Sequence, residues 1–144
     1  MPRLPEAVRA IVEPGERELV ELAYEASLKA YAPYSRFQVG AAIRTTRGTY
    51  TGCNVENGSY GLTSCAERNA VFTAVGAEGG KIELEAVAVY ARSPGRNVKT
   101  ASPCGACRQV MAEFGPRATV SFLEGGRFQK RTLDELLPAG FELD

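Results

Sequence analysis

Three cysteines and one glutamate carry the chemistry open to this sequence. Cys104 and Cys107 stand in Pro103-Cys104-Gly105-Ala106-Cys107, and Cys65 stands in Cys65-Ala66-Glu67. A C-x-x-C spacing on one helical turn puts two sulfurs on the same side, within reach of one metal ion. Cys65 can supply a third sulfur from another helix. Three protein ligands leave open the fourth position of a tetrahedral zinc ion, which is the mark of a catalytic rather than a structural site. Glu67, two residues from a ligand, can take a proton from a water held there and pass it to a substrate. The chain has no histidine. Acid–base work near neutral pH therefore falls to a carboxylate, a thiol, a lysine or a metal-activated water.

Zinc with three thiolates carries a net negative charge, so the metal alone does not make its water acidic. Helix N-termini present positive partial charge. Two of them aimed at the sulfurs lower the thiolate pKa and draw charge from the metal. Arg68 and Gln109 flank the ligand turns and are candidate donors to the sulfurs. Two other readings use the same cysteines. A structural zinc site needs a fourth ligand, for which the spare cysteine is Cys53. A redox pair at Cys104 and Cys107 leaves Cys65-Ala66-Glu67 without a role. Cys53, after a glycine at a strand end, reads by itself as a small buried hydrophobe.

The elements that must position these residues follow from periodicity. Leu19, Leu22, Ala23, Ala26 and Ala30 fall at helical spacing, in a helix from about Gly15 that ends before Pro33. Gln38 to Thr45 and Thr49 to Asn54 read as a hairpin turning at Arg47-Gly48, followed by a loop over 55–63. A helix runs from near Cys65 through Val75 to Gly76 or Gly79-Gly80. Leu84 to Ala91 is apolar enough for a central strand. Ser102 reads as an N-cap and Pro103 as the first residue of a helix ending at Gly115-Pro116. Strands over 119–123 and 127–131 follow, and Thr132 can cap a short helix over 133–137. Residues 1–14, with three prolines, read as a loose lead-in. The order α-β-β-α-β-α-β-β-α predicts an α/β layered domain with a mixed sheet. Right-handed crossovers put both middle helices on one face and bring their starts together.

Bulk properties set outer limits. The 144 residues suit one domain over 1–144. Seventeen basic and seventeen acidic residues balance, so the basic excess usual in nucleic-acid binders is missing. No apolar run reaches the length of about 18 residues that a membrane span needs. The N-terminal residues lack the apolar core of a signal peptide. A cytoplasmic location is the expectation, where a disulfide framework is disfavoured.

Cys65-Ala66-Glu67 with Pro103-Cys104-x-x-Cys107 matches the three-cysteine form of the zinc deaminase motif, in which the glutamate is not a ligand. Further stretches carry a wider likeness: 34–42 (Tyr-Ser-Arg-Phe-Gln-Val-Gly-Ala-Ala), 52–57 (Gly-Cys-Asn-Val-Glu-Asn), 59–62 (Ser-Tyr-Gly-Leu) and 102–110. Glu135-Leu136-Leu137-Pro138 and Phe141 resemble the family's end. From about residue 15 to 141 the chain resembles the short homotetrameric zinc-dependent cytidine deaminases. It departs from their pattern at Gly58, where alanine is more usual, and at Asn69, where threonine is common.

The resemblance implies a three-layer cytidine deaminase-like fold, with a mixed five-stranded sheet flanked by helices. It implies one zinc ion per chain on Cys65, Cys104 and Cys107, with Glu67 shuttling protons. Asn54 and Glu56 would bond the ribose hydroxyls, Phe37 would stack on the pyrimidine, and the backbone of Ala66 would hold the base edge. Tyr60 and Phe141 would complete the pocket from neighbouring subunits of a homotetramer with shared active sites. The implied reaction is hydrolysis at C4 of cytidine or 2'-deoxycytidine, releasing ammonia, in pyrimidine salvage. Within the wider deaminases, a nucleotide enzyme would need a phosphate site, and the matched loops hold no basic cluster. A polynucleotide editor would want a basic groove. A blasticidin-type deaminase shares the motif, but the Asn-Val-Glu-Asn and Tyr-Gly-Leu-Thr stretches resemble the nucleoside enzymes more closely.

Overall fold

The computed structural model describes residues 4–143. Five strands form one sheet: β1 (Gln38–Thr45), β2 (Thr49–Cys53), β3 (Leu84–Arg92), β4 (Thr119–Glu124) and β5 (Arg127–Thr132). Their order across the sheet is β2-β1-β3-β4-β5. β3 and β4 are parallel, and every other neighbouring pair is antiparallel. The helices are α1 (Glu6–Arg9), α2 (Arg17–Ser27), α3 (Ala66–Glu78), α4 (Gly105–Phe114) and α5 (Leu133–Leu136).

Side-chain alternation along the strands divides the core in two. Ala41, Ile43, Val87, Val89, Val120 and Phe122 point to one face, where they meet Ala66, Ala70, Val71 and Ala74 of α3 and Met111 of α4. Ala42, Ala86, Ala88 and Tyr90 point to the other, under Leu19, Val20 and Ala23 of α2. The result is three layers, with both middle helices on one face as the crossover argument requires. Both β3 faces are covered, which accounts for the apolar run from Leu84 to Ala91.

Three expectations need correction. Of the loose lead-in expected over 1–14, residues 1–3 lie outside the described residues, and residues 4–14 are not loose. Leu4 and Val12 are buried with the α2 cluster, and α1 lies between them. The prolines punctuate this segment, but its apolar residues still find the open face of the sheet. α2 stops at Ser27, because residues 28–30 tighten into i−3 hydrogen bonds and Tyr31 N–H then turns to the carbonyl of Asn54 at 3.1 Å. α4 does not begin at Pro103 under a Ser102 cap. Ala101 N–H pairs with the carbonyl of Leu123 at 2.8 Å, which keeps the chain extended until Cys104. Cys104 is the N-cap, and its carbonyl accepts the Arg108 N–H at 3.0 Å.

Gly52 sets how closely α3 sits on the sheet. A Cβ there would meet Ala70 N and would lie 2.7 Å from the carbonyl oxygen of Ala66. Any side chain at this position pushes the first turn of α3, with Cys65 and Glu67, off β2. The Gly52→Ala variant is expected to lose about 1–3 kcal/mol of stability. It should also lose metal affinity, a pairing that denaturant unfolding and metal titration together can check. Loss of stability with unchanged metal affinity would mean that α3 does not set the sulfur geometry.

Candidate metal centre and active site

Two helix starts meet at one point. Cys65 is the N-cap of α3 and Cys104 the N-cap of α4, and both have extended backbone there. Each cap carbonyl accepts the first helical N–H, from Asn69 at 3.1 Å and Arg108 at 3.0 Å. Their side chains are thereby left free to face forward. Cys107, one turn into α4, is fully buried.

The Sγ atoms of Cys104 and Cys107 are 3.4 Å apart, and those of Cys65 and Cys104 are 4.0 Å apart. All three lie within 4.8 Å of one another. Tetrahedral zinc with Zn–S bonds of about 2.3 Å requires sulfurs separated by about 3.8 Å, so the donor set fits zinc in number, chemistry and spacing. Among the described residues this is the single group of three or more metal-binding side chains. Cys53 lies apart, half-buried beside Asn57 and Leu62. The structural-zinc reading therefore has no fourth sulfur, and a four-coordinate zinc held here would keep one position for water or substrate.

The surroundings favour thiolate. Hydrogen bonds from Cys107 and then Arg68 bring the Cys65 thiol down to about 5. The Arg68 guanidinium donates to Cys65 Sγ at 3.3 Å. Cys107 is pushed up, first by its bond to Cys65 and then by burial. Thiol ligands give up their protons when a metal ion binds, which offsets that rise. Gln109 is placed otherwise than the sequence suggested. Its Nε2 donates to the carbonyl of Phe141 at 3.0 Å, not to a sulfur.

Glu67 is buried at 4% exposure and opens into the same cavity as Cys65 and Cys104. Burial is the main cause that pushes its carboxyl up, and the negative charge of Cys65 adds to it. A carboxyl raised in this way is a better proton acceptor than an ordinary carboxylate, as a group that takes up a proton and returns it requires.

The cavity holds about 270 Å³. Phe37, Asn54, Glu56 and Ala66 all line it, together with Ser35, Thr63, Ala101 and Ser102. Ala66 is the first residue of α3, where backbone N–H groups have no partner within the helix. Asn54 and Glu56 are largely engaged by the protein. Asn54 Oδ1 accepts the Val39 N–H and its Nδ2 donates to the Phe37 carbonyl, both at 2.8 Å. Glu56 Oε1 accepts the N–H groups of Tyr34 and Ser35, at 2.9 and 3.1 Å, and Oε2 accepts the Ser35 hydroxyl. An ionised carboxylate has about four acceptor sites and an amide about two donors and two acceptors. One acceptor on Glu56, with one donor and one acceptor on Asn54, remains for a ligand.

Tyr60 and Phe141 do not line this cavity within one chain. Tyr60 is exposed and packs edge-on against Tyr34, with ring centroids 5.9 Å apart. Phe141 is exposed beside Leu137 and Ala139 at the C-terminal end. Sequence reasoning missed Ser35, Thr63, Ala101 and Ser102. Ser35 and Ser102 fall inside the matched stretches, but nothing in their type marks them as cavity walls.

Residues 15–123 match the family described as the cytidine and deoxycytidylate deaminase zinc-binding region. The chain is 47% identical over 126 residues to a cytidine deaminase of Halalkalibacterium halodurans, covering 85% of this chain and 91% of that protein. The structure of cytidine deaminase from Burkholderia pseudomallei superposes with a TM-score of 0.76 at 46% identity, covering 86% of this chain and 97% of that one. Cytidine deaminase from Mycobacterium tuberculosis gives 0.74 at 41%, covering 91% and 100%. An open three-sulfur site beside a buried carboxyl, on this sheet order and with these relatives, places the chain in the zinc-dependent cytidine deaminase family.

Proposed function

We propose that this chain hydrolyses cytidine and 2'-deoxycytidine to uridine and 2'-deoxyuridine with release of ammonia. The observation that carries the reading is the cavity itself. It joins Cys65, Cys104 and Glu67 to Phe37, Asn54 and Glu56, and among the described residues no lysine or arginine lines it. A phosphate would find no cation there, which favours a free nucleoside over a nucleotide. The balanced charge of 17 basic and 17 acidic residues disfavours a polynucleotide.

Cys65, Cys104 and Cys107 would hold the zinc ion, which would supply Lewis acidity toward a water facing C4 of the base. Glu67 accepts one proton from the attacking water and gives it to N3, then carries the second from the new C4 hydroxyl to the amino group, which leaves as ammonia as the C4 carbonyl forms. Arg68 and the two helix N-termini offset the charge of the three sulfurs. Phe37 packs on the base, Ala66 backbone holds its edge, and the remaining hydrogen-bonding sites of Asn54 and Glu56 hold the ribose. The exposed Tyr60 and Phe141 fit a homotetramer in which each covers a neighbour's cavity. In this reading the chain acts as one cytoplasmic domain in pyrimidine salvage, without nucleic acid or membrane partners. No helix among the described residues is long and apolar enough to cross a membrane.

Metal analysis paired with the ultraviolet change on adding cytidine, and separately deoxycytidine monophosphate, tests this. About one zinc per chain, fast conversion of cytidine and little of the monophosphate are expected. Zinc without cytidine turnover would move the reading to a blasticidin-type deaminase. Absence of zinc from protein purified without chelator would return the redox pair.

A further inference from the structure

We infer that Ser35 is a positioning residue of this site, whose hydroxyl couples Glu56 to the loop that carries Phe37. The inference rests on the nucleoside reading above and adds a determinant of how the nucleoside is seated. Residues 32–37, between Tyr31 and β1, have no helix or strand of their own. They are held by two side chains from the segment after β2. At one end Glu56 Oε1 takes the N–H groups of Tyr34 and Ser35. At the other, Asn54 takes the Phe37 carbonyl and the Val39 N–H.

Arg36 lies between these two anchors with φ 58°, in the left-handed region that a non-glycine residue adopts only under external constraint. Ser35 shares that constraint from within the loop with the Arg36 N–H, which donates to the Ala32 carbonyl at 3.0 Å. Ser35 Oγ donates to Glu56 Oε2 and accepts the Phe37 N–H at 3.0 Å. One hydroxyl thus acts as donor and acceptor at once, in a way alanine cannot reproduce. Without it, the mostly buried Glu56 keeps an oxygen with no partner and the Phe37 amide loses its acceptor. Glu56 and Phe37 line the cavity but are neither sulfur ligands nor hydrogen-bond partners of the sulfurs, so their misplacement weakens substrate binding and leaves the metal and Glu67 as they are.

The test compares zinc-loaded wild type, Ser35→Ala and Ser35→Thr. Steady-state kinetics on cytidine, zinc content, thermal midpoint and amide hydrogen exchange over residues 33–39 are measured for each. The Ser35→Ala variant is expected to raise KM roughly 10- to 100-fold, the loss of a hydrogen bond to a charged group. Its kcat should stay within a few-fold of wild type, its zinc content should hold, its thermal midpoint should fall by only a few degrees, the cost of one buried acceptor left unpaired, and exchange at Phe37 should quicken about tenfold. Threonine keeps the hydroxyl and should recover most of both losses. A Ser35→Ala variant with wild-type KM, a loss confined to kcat, or threonine as impaired as alanine would overturn the assignment. If wild type does not turn over cytidine, the nucleoside reading falls. Unchanged exchange at Phe37 in Ser35→Ala would then still refute the coupling, and quickened exchange rescued by threonine would still support it.

Discussion

Replacing Glu67 by glutamine is expected to leave zinc in place and to remove nearly all turnover. The carboxyl is buried beside the sulfurs and opens into their cavity, and no histidine exists to take over its role. Glutamine keeps the volume and a hydrogen-bonding end, but it cannot accept a proton and return it. Loss of a positioned general base costs about 10²–10⁴-fold in rate. The fall should appear in kcat, because the groups that hold the nucleoside are untouched. Metal analysis and steady-state kinetics on the same preparation check both halves. A variant with stoichiometric zinc and wild-type kcat would assign the proton transfer to another group.

Cys104→Ala should lose zinc and, with it, stability. Cys104 is exposed and its truncation removes little packing, so a drop in thermal midpoint reports the metal rather than a cavity. Cys107 would not separate the two effects, because it is fully buried. If the free ion stands at a thousand times its dissociation constant, zinc contributes about 4 kcal/mol. For a chain of this length that corresponds to a shift of roughly 10 °C. Chelated wild type should fall to the same midpoint as Cys104→Ala, and chelator should do nothing further to the variant. Stoichiometric zinc in Cys104→Ala would remove that sulfur from the ligand set.

Much of this arrangement was legible in the chain itself. The spacing of Cys65, Glu67, Cys104 and Cys107 names the donors, and the alternation of strands and helices brings them together. Leu84 to Ala91 reads as a doubly covered strand because apolar residues occupy both of its faces. What escaped is whatever depends on a distant backbone partner. The start of α4 moves from Pro103 to Gly105 because Ala101 bonds Leu123, a pairing that no local signal announces. The N-terminal segment folds onto the sheet because Leu4 and Val12 find apolar cover, although prolines suggested otherwise. Gln109 turns to the Phe141 carbonyl, 32 residues away, instead of a sulfur. Asn54 and Glu56 suggested ligand contacts from the motif alone. Their second task, holding residues 34–39, emerges only when the loop lies against them.

The meeting of Cys65 with Cys104 joins positions 39 residues apart along the chain. An unfolded chain gripping one ion with both would forfeit about 4 kcal/mol of loop-closure entropy at this separation. The folded sheet has already brought the two caps together, so it binds the ion without that loss. The margin is about a thousandfold in affinity. The ion therefore distinguishes folded from unfolded copies of the same sequence, and a folded molecule can take zinc from a solution too dilute to load a nascent one.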